Sequence, residues 1–296
     1  MSNDHYVPQF YLRNFSPTGA KGRIWCYERN QRPCLKGIKY VACEEDFYQF
    51  TDATGQKDNT IEKFYDKATE NPAAPVIKKI IAMDHIFLSD DERETVAHFI
   101  GHLITRNPLY RPINVDHLEY LKDEESFLAR VETVELTVEE AKQRRAEILS
   151  NPETFLEEVN RDKEQLTVSG PIPLAIDYTV EILQRQWLLI ESDCSRIFIT
   201  SDNPVSIVPR KSGSKKSGFI NHTLYLPLSP SKCLLLKQGD GFARTIKIKR
   251  ENVDEANYYT MRIANSAVYS NLKSKHIENG FNQTPRIQDC KAAFAK

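Results

Sequence analysis

The stretch HYVPQFYLRNF (residues 5–15) decides how the rest of the chain is read. It sets His5, Gln9 and Arg13 among Tyr6, Val7, Phe10, Tyr11, Leu12 and Phe15. That mixture is too polar for a secretory signal, which needs an apolar middle and a small-residue cleavage site. It is also too apolar for a solvated tail. An N-terminal anchor that buries its aromatic side and carries polar groups inward satisfies both constraints. Pro8 forbids a regular helix through Tyr6 and Val7, so His5 is expected in extended chain and a helix near Pro8.

Outward from this anchor, RIWCYER (23–29) and IKYVACEEDFYQF (38–50) alternate aromatic and β-branched residues around NQRP, a strand–turn–strand pattern. Thr60 is expected to cap a helix that reaches about Asn71, where Pro72 interrupts it, and a second run covers about Ala73–Met83. Ser89 with Glu92 forms a capping box opening a helix that stops near Arg106, before Asn107–Pro108. Thr137 with Glu140 repeats the signature, giving a helical centre over about 60–185 with a charged excursion over about 113–165. Strands return with QWLLIES (186–192) and RIFITSDNPVSIV (196–208). HTLYLPLSP, KCLLLK and RTIKIKR read as further antiparallel strands, and a helix is expected over about 252–271. The expected fold is α+β: one domain over 1–296, its helical centre flanked by β-rich segments 1–50 and 186–250 that pair in one mixed or antiparallel sheet.

The 296 residues are 40% hydrophobic and 27% charged, which suits a soluble globular protein. No apolar run approaches the ~20 residues of a membrane helix. The six cysteines form no CxxC pair and no zinc-like spacing, so reduced thiols and a cytoplasmic location are expected. There is no GxGxxG, P-loop or GxSxG, hence no motif for a nucleotide cofactor, a Walker NTPase or an α/β-hydrolase elbow. The net charge of −1 hides an asymmetry. Residues 196–296 carry 17 Lys and Arg against 7 Asp and Glu, whereas 116–164 carry 15 acidic and 7 basic residues. The basic third suits a nucleic acid or another polyanion, or the two regions simply attract each other.

Three polar stripes carry the candidate chemistry. Glu62, Asp66 and Glu70 recur at spacing four, a row of like charges that a metal, an Arg or another cation would relieve. Otherwise they form a solvated face balanced by Lys63 and Lys67. Glu94, His98, His102 and Arg106 repeat that spacing. Histidines at i and i+4 can share a metal, but HFIGH lacks the general-base glutamate of HExxH, and the alternative is a hydrogen-bonded polar seam. In that alternative, Arg106 neutralises the first stripe. Finally, FITSDNPV runs an apolar strand into Asp202, at an edge where a scaffold presents ligand-binding groups or where Asx-turns form.

Taken together, HYVPQFYLRNF, IEKFYDKATE, HFIGHLITRNPLYR and the ITSDNPV…LYLPLSP pair resemble a bacterial family, domain of unknown function 4238. The likeness runs from His5 to about Ser270. The matching positions are His5, Pro8, Gln9, Leu12, Phe15, Glu62, Glu70, Arg106, Asp202, Asn203 and Pro204. His98 and His102 are less typical of it. The resemblance implies no established activity or cofactor. Two functions remain open. One is a metal-dependent phosphodiester hydrolase, nuclease-like, in which His5, Gln9, Glu62, Glu70, Arg106 and Asp202 form the site. There Glu62, Glu70 and Asp202 hold Mg²⁺ or Mn²⁺, and Arg106 stabilises phosphate charge. The other is a non-catalytic ligand- or protein-binding module whose polar cluster is a structural ion network.

Overall fold

The computed structural model describes residues 3–19, 22–51, 56–84, 87–108, 138–150, 168–193, 196–209, 222–239 and 245–286. Pro8 acts as its chemistry requires. Asn3–His5 is extended as β1, Pro8 stands at the N-cap, and α1 covers Gln9–Leu12 before a 3-10 turn over Arg13–Phe15. Tyr11, Leu12 and Phe15 are fully buried, and the Tyr11 hydroxyl lies 2.8 Å from Thr200 Oγ1. The anchor is thereby tied to a strand nearly two hundred residues away.

The chain is α+β and forms two compact units. One comprises Met1–Gln49, Asn59–Tyr110 and Pro171–Lys296; the other comprises Phe50–Asp58 and Arg111–Gly170. In the first unit, β2 (Arg23–Glu28) and β3 (Cys34–Gly37) pair antiparallel. The run from Ile38 is not one strand. A 3-10 turn (Ile38–Tyr40) leads to β4 (Cys43–Glu45), which pairs with β1, placing His5 opposite Cys43. In the second unit, β5 (Phe50–Thr51) and β6 (Lys57–Asp58) form an antiparallel pair.

The next helix departs from the expected break at Pro72. The α-helical turn α2 (Thr60–Phe64) widens into a π-helix over Tyr65–Glu70 and continues as α3 (Asn71–Ala82), with Asn59 rather than Thr60 at the N-cap. Pro72 sits at the start of α3 and Pro75 inside it. Neither has an N–H to return to the preceding turn. The backbone opens ahead of the prolines instead of ending. The capping box forms as read: Ser89 Oγ accepts from Glu92 N at 3.2 Å, and Ser89 N donates to Glu92 Oε2 at 3.0 Å, opening α4 (Asp90–Thr105). Of the charged excursion, only α5 (Val138–Ser150) is described; Thr137 and the rest of 113–165 lie outside the described residues.

Helix α6 (Pro171–Leu183) crosses α4 closely at Gly101. A Cβ there would meet the Ala175 carbonyl oxygen at 2.5 Å and Thr179 Oγ1 at 2.8 Å. Gly101→Ala is therefore expected to push the helices apart and cost about 1–3 kcal/mol. Urea melts of the variant check this; an unchanged midpoint would mean that the helices are less closely apposed.

Among the described residues, the segments 1–50 and 186–250 do not pair directly as expected: they meet in one four-stranded sheet only through residues 267–270, and most of 186–250 forms a sheet of its own. β7 (Gln186–Ser192), β9 (Ser206–Pro209), β10 (His222–Pro227), β11 (Lys232–Lys237) and β12 (Thr245–Ile248) form a five-stranded sheet in the order β12-β7-β11-β10-β9. β12 runs parallel to β7, not antiparallel as expected. Of residues 196–205 only Thr200–Ser201 (β8) joins a ladder, at the edge of the four-stranded sheet that contains β2 and β3. The expected helix over 252–271 ends early: α7 covers Arg250–Ile263, and β13 (Ala267–Ser270) follows as a fully buried strand between β2 and β8. Its four residues fit a helix face as well as a strand, and long-range pairing decides. α8 (Lys275–Gln283) closes the described chain, its Ile277 and Phe281 packed with Tyr27, Ile199, Met261 and Val268.

The described Cys26, Cys34, Cys43 and Cys233 are free thiols. Among the described residues, no helix is long and apolar enough to cross a membrane.

Candidate functional site

The π turn builds one wall of a cleft. In a regular helix Tyr65 and Glu70 would point about 140° apart, at about 100° per residue. In the i→i+5 geometry they fall one turn apart on the same side, and π turns are frequent at functional sites. Glu62, Tyr65, Asp66 and Glu70 all line a cavity of about 370 Å³. The N-terminal anchor supplies the facing wall with His5, Gln9, Phe10 and Arg13, while Asn3, Tyr48, Asn71 and Ala74 complete the lining. This is the delivery that the opening stretch implied, with His5 and Gln9 carried to Glu62 and Glu70. The volume falls within the range of small-ligand sites.

Secondary contacts fix the walls. His5 Nε2 lies 3.3 Å from the Ile38 carbonyl oxygen, to which its N–H donates, and the Tyr48 hydroxyl donates to the His5 carbonyl at 3.3 Å. Burial holds the His5 imidazole below its ordinary pKa, against the Ile38 bond and the Glu70 charge, which pull it upward. Buried Asp4 accepts from Tyr48 N at 3.0 Å. At the mouth, exposed Arg13 Nη2 donates to Gln9 Oε1 at 3.3 Å. Partial burial raises the Glu62 carboxyl, and the charges of Asp4, Asp66 and Glu70 raise it further. The lining thus sets three carboxylates against the one guanidinium of Arg13 among the described residues.

Arg106 lies behind this wall and does not line it. Its side chain is 0% exposed. Nη1 donates to Glu70 Oε1 at 2.9 Å, Nε donates to the Tyr6 carbonyl at 3.0 Å, and the guanidinium sits 5.0 Å over the Tyr65 ring. Nη2 has no hydrogen-bond partner among the described residues, and neither does the buried Tyr65 hydroxyl.

Asp202 is also outside the lining. Its Oδ1 accepts from Asn265 N at 2.8 Å, and its Oδ2 accepts from Ser266 N at 2.6 Å and Ala267 N at 3.1 Å. The carboxylate thereby ties down the turn between α7 and β13. Asn203 Nδ2 donates to the Ile263 carbonyl at 3.2 Å, and its Oδ1 accepts from Asn107 Nδ2 at 3.3 Å. The RNP and SDNP segments therefore brace one another through their asparagines.

His98 and His102 form the hydrogen-bonded seam, with their Nε2 atoms 3.1 Å apart. Phe64 and Tyr65 pack against His102, whose imidazole burial, aided by His98 and Arg106, pushes down to about 3. Among the described residues, no three His, Cys, Asp or Glu side chains gather as a metal-binding group, around these histidines or around Glu62, Glu70 and Asp202. The expected set thus divides into His5, Gln9, Glu62 and Glu70 in the cleft, and Arg106 and Asp202 beneath or beyond it.

A family profile described as "Protein of unknown function (DUF4238)" matches residues 3–274. The chain belongs to this family. Comparison with curated proteins and with solved structures returned no match. The family segments quoted from the sequence divide as the candidate residues do, with the anchor and IEKFYDKATE lining the cleft and RNP and SDNP forming the brace.

Sequence reasoning missed Tyr65 because helical periodicity assigns it to the apolar side opposite the carboxylates. The paired prolines, Pro72 and Pro75, were the signal that the periodicity there was not 3.6.

Proposed function

We propose that this protein is a ligand-binding module whose cleft takes a small ligand bearing a cationic group. One observation carries the reading: Glu62, Asp66 and Glu70 line one open cleft with His5 and Gln9, three carboxylates against one arginine, Arg13 at the mouth, among the described residues. Arg106 offsets Glu70 from behind, so Glu62 and Asp66 supply the attraction. Like charges this close are relieved by an incoming cation. Calorimetric titration with agmatine, which carries a guanidinium and an ammonium and no anion, tests this. Saturable binding, weakened about tenfold by Glu62→Gln, is expected; absence of binding, or binding indifferent to Glu62→Gln, would contradict it.

A second reading, a phosphate-ester hydrolase, is favoured by His5 sharing the cleft with these carboxylates. Glu62 would act as general base and His5 would move a proton, and because the described residues gather no metal-binding group, Mg²⁺ or Mn²⁺ would arrive with the phosphate ester it binds. The basic surplus over 196–296 would draw in a nucleic acid or another polyanion. Its test is incubation with RNA and DNA, with and without either ion. Ion-dependent cleavage lost in Glu62→Gln and in His5→Ala would favour the hydrolase over the binding module.

A further inference from the structure

Two of the free thiols face each other across a ladder, and neither lines the cleft. In the β2–β3 hairpin, Cys26 stands directly opposite Cys34. Opposed residues on antiparallel strands project from the same side of the pleat, with Cα atoms about 4.5–5.5 Å apart. A disulfide needs about 4.4–6.8 Å, so this register already meets its backbone requirement. The register is pinned on both sides of the pair. Ile38 N donates to the Gly22 carbonyl at 2.9 Å at the open end of the hairpin, and Gln31 N donates to the Glu28 carbonyl at 3.2 Å at its turn. On the face that carries the thiols, Lys36 Nζ meets Glu28 Oε1 at 2.7 Å diagonally across the strands.

The two thiols differ in what can reach them. β3 is the edge strand of its sheet and Cys34 is exposed, whereas β2 is flanked on both sides and Cys26 is 2% exposed. Burial pushes the Cys26 thiol up to about 12; the Lys36 charge opposes this, and Glu28 and Cys34 add to it. The thiolate is the nucleophile, so an oxidant meets Cys34 first and Cys26 acts on the product.

We propose that Cys34 and Cys26 form a peroxide-reactive modification site, at which a hydroperoxide closes a reversible cross-strand disulfide. With hydrogen peroxide, the Cys34 thiolate attacks one oxygen, the O–O bond breaks, and Cys34 becomes a sulfenic acid. The proton that Cys34 released converts the departing hydroxide to water. The Cys26 sulfur then attacks the Cys34 sulfur. An S–S bond forms as the S–O bond breaks, and the second hydroxide leaves as water with the Cys26 proton. The two sulfurs supply both electrons that reduce the peroxide. The link closes a loop that the hairpin already closes, so it restricts the unfolded chain little and is a labile mark rather than a structural staple.

The experiment treats the full chain with hydrogen peroxide, quenches with catalase, alkylates with iodoacetamide and digests with trypsin without reductant. Cleavage after Arg23, Arg29 and Lys36 puts the two cysteines in separate peptides, 24–29 and 30–36. These are expected to appear as one linked species, with both thiols lost from the alkylated count and recovered on adding dithiothreitol. Cys34→Ser is expected to leave Cys26 reduced after the same exposure. Cys26→Ser is expected to leave Cys34 as a sulfenic acid that dimedone captures. A Cys34 that stays reduced in the parent, proceeds to the sulfinic acid without the link, or joins a cysteine other than Cys26 would overturn the proposal. Oxidation of Cys26 in Cys34→Ser as fast as in the parent would overturn the order assigned to the two thiols.

Discussion

Arg106→Ala is expected to lower the stability of the protein by about 3–5 kcal/mol, the usual cost of breaking a buried ion pair from one side. The side chain is fully buried, bonds Glu70 and the Tyr6 carbonyl at once, and lies over the Tyr65 ring. Truncation leaves the Glu70 carboxylate facing Glu62 and Asp66 without its counter-charge and frees the anchor at Tyr6. Glu70 itself is 21% exposed, so water recovers part of the loss and the lower end of the range is expected. In a chain of this size such a change shifts the melting temperature by roughly 10 °C. Arg106→Lys should fall between, since it keeps the charge without the fork that reaches both acceptors. Thermal melts of the two variants check this. If Arg106→Ala melts with the parent, the buried pair does not support the wall.

Asp202→Ala carries the second large effect, about 3 kcal/mol or more near pH 5, because three backbone N–H groups lose their acceptor together. The size of the effect depends on pH. Burial raises the Asp202 carboxyl from 3.8 to about 6, against the three amides that pull it down. A carboxyl raised on folding binds its proton more tightly in the folded chain. Its contribution is therefore fully present below pH 3.8 and lost as pH rises through about 6. The gap between parent and Asp202→Ala should be about 1 kcal/mol wider at pH 5 than at pH 7.5. Urea midpoints at the two pH values decide this. A gap that widens toward alkaline pH would mean that the carboxylate is stabilised, not strained, by its site.

Helix starts were more legible here than the pairing of strands. Pro8 dictated extended chain followed by helix, and Ser89 with Glu92 dictated the start of α4, because each is a local steric or hydrogen-bonding demand that tertiary contacts leave intact. Ala267–Ser270 was not legible, since a short buried apolar run satisfies both periods and its pairing partner β2 lies about 240 residues away. The parallel pairing of β12 with β7 has the same origin: alternation says strand but not direction. At the site, the spacing of Glu62, Asp66 and Glu70 located one wall, and the mixed polarity of residues 5–15 located the other. Asp202 looked identical to a ligand-binding carboxylate at a strand end. Only its three backbone partners distinguish a brace from a binding group, and those partners lie more than sixty residues away.

The N-terminal anchor presents His5 to the open cleft, while half-buried His98 and buried His102 bond each other in a separate seam. The most direct measurement follows the imidazole NMR signals during addition of agmatine, with the His5 signal assigned from a His5→Gln variant. A saturable shift of His5 is expected, abolished or weakened about tenfold in Glu62→Gln, with His98 and His102 unmoved. A His5 signal that stays fixed while agmatine saturates the protein, or a shift at His98 and His102 instead, would contradict it.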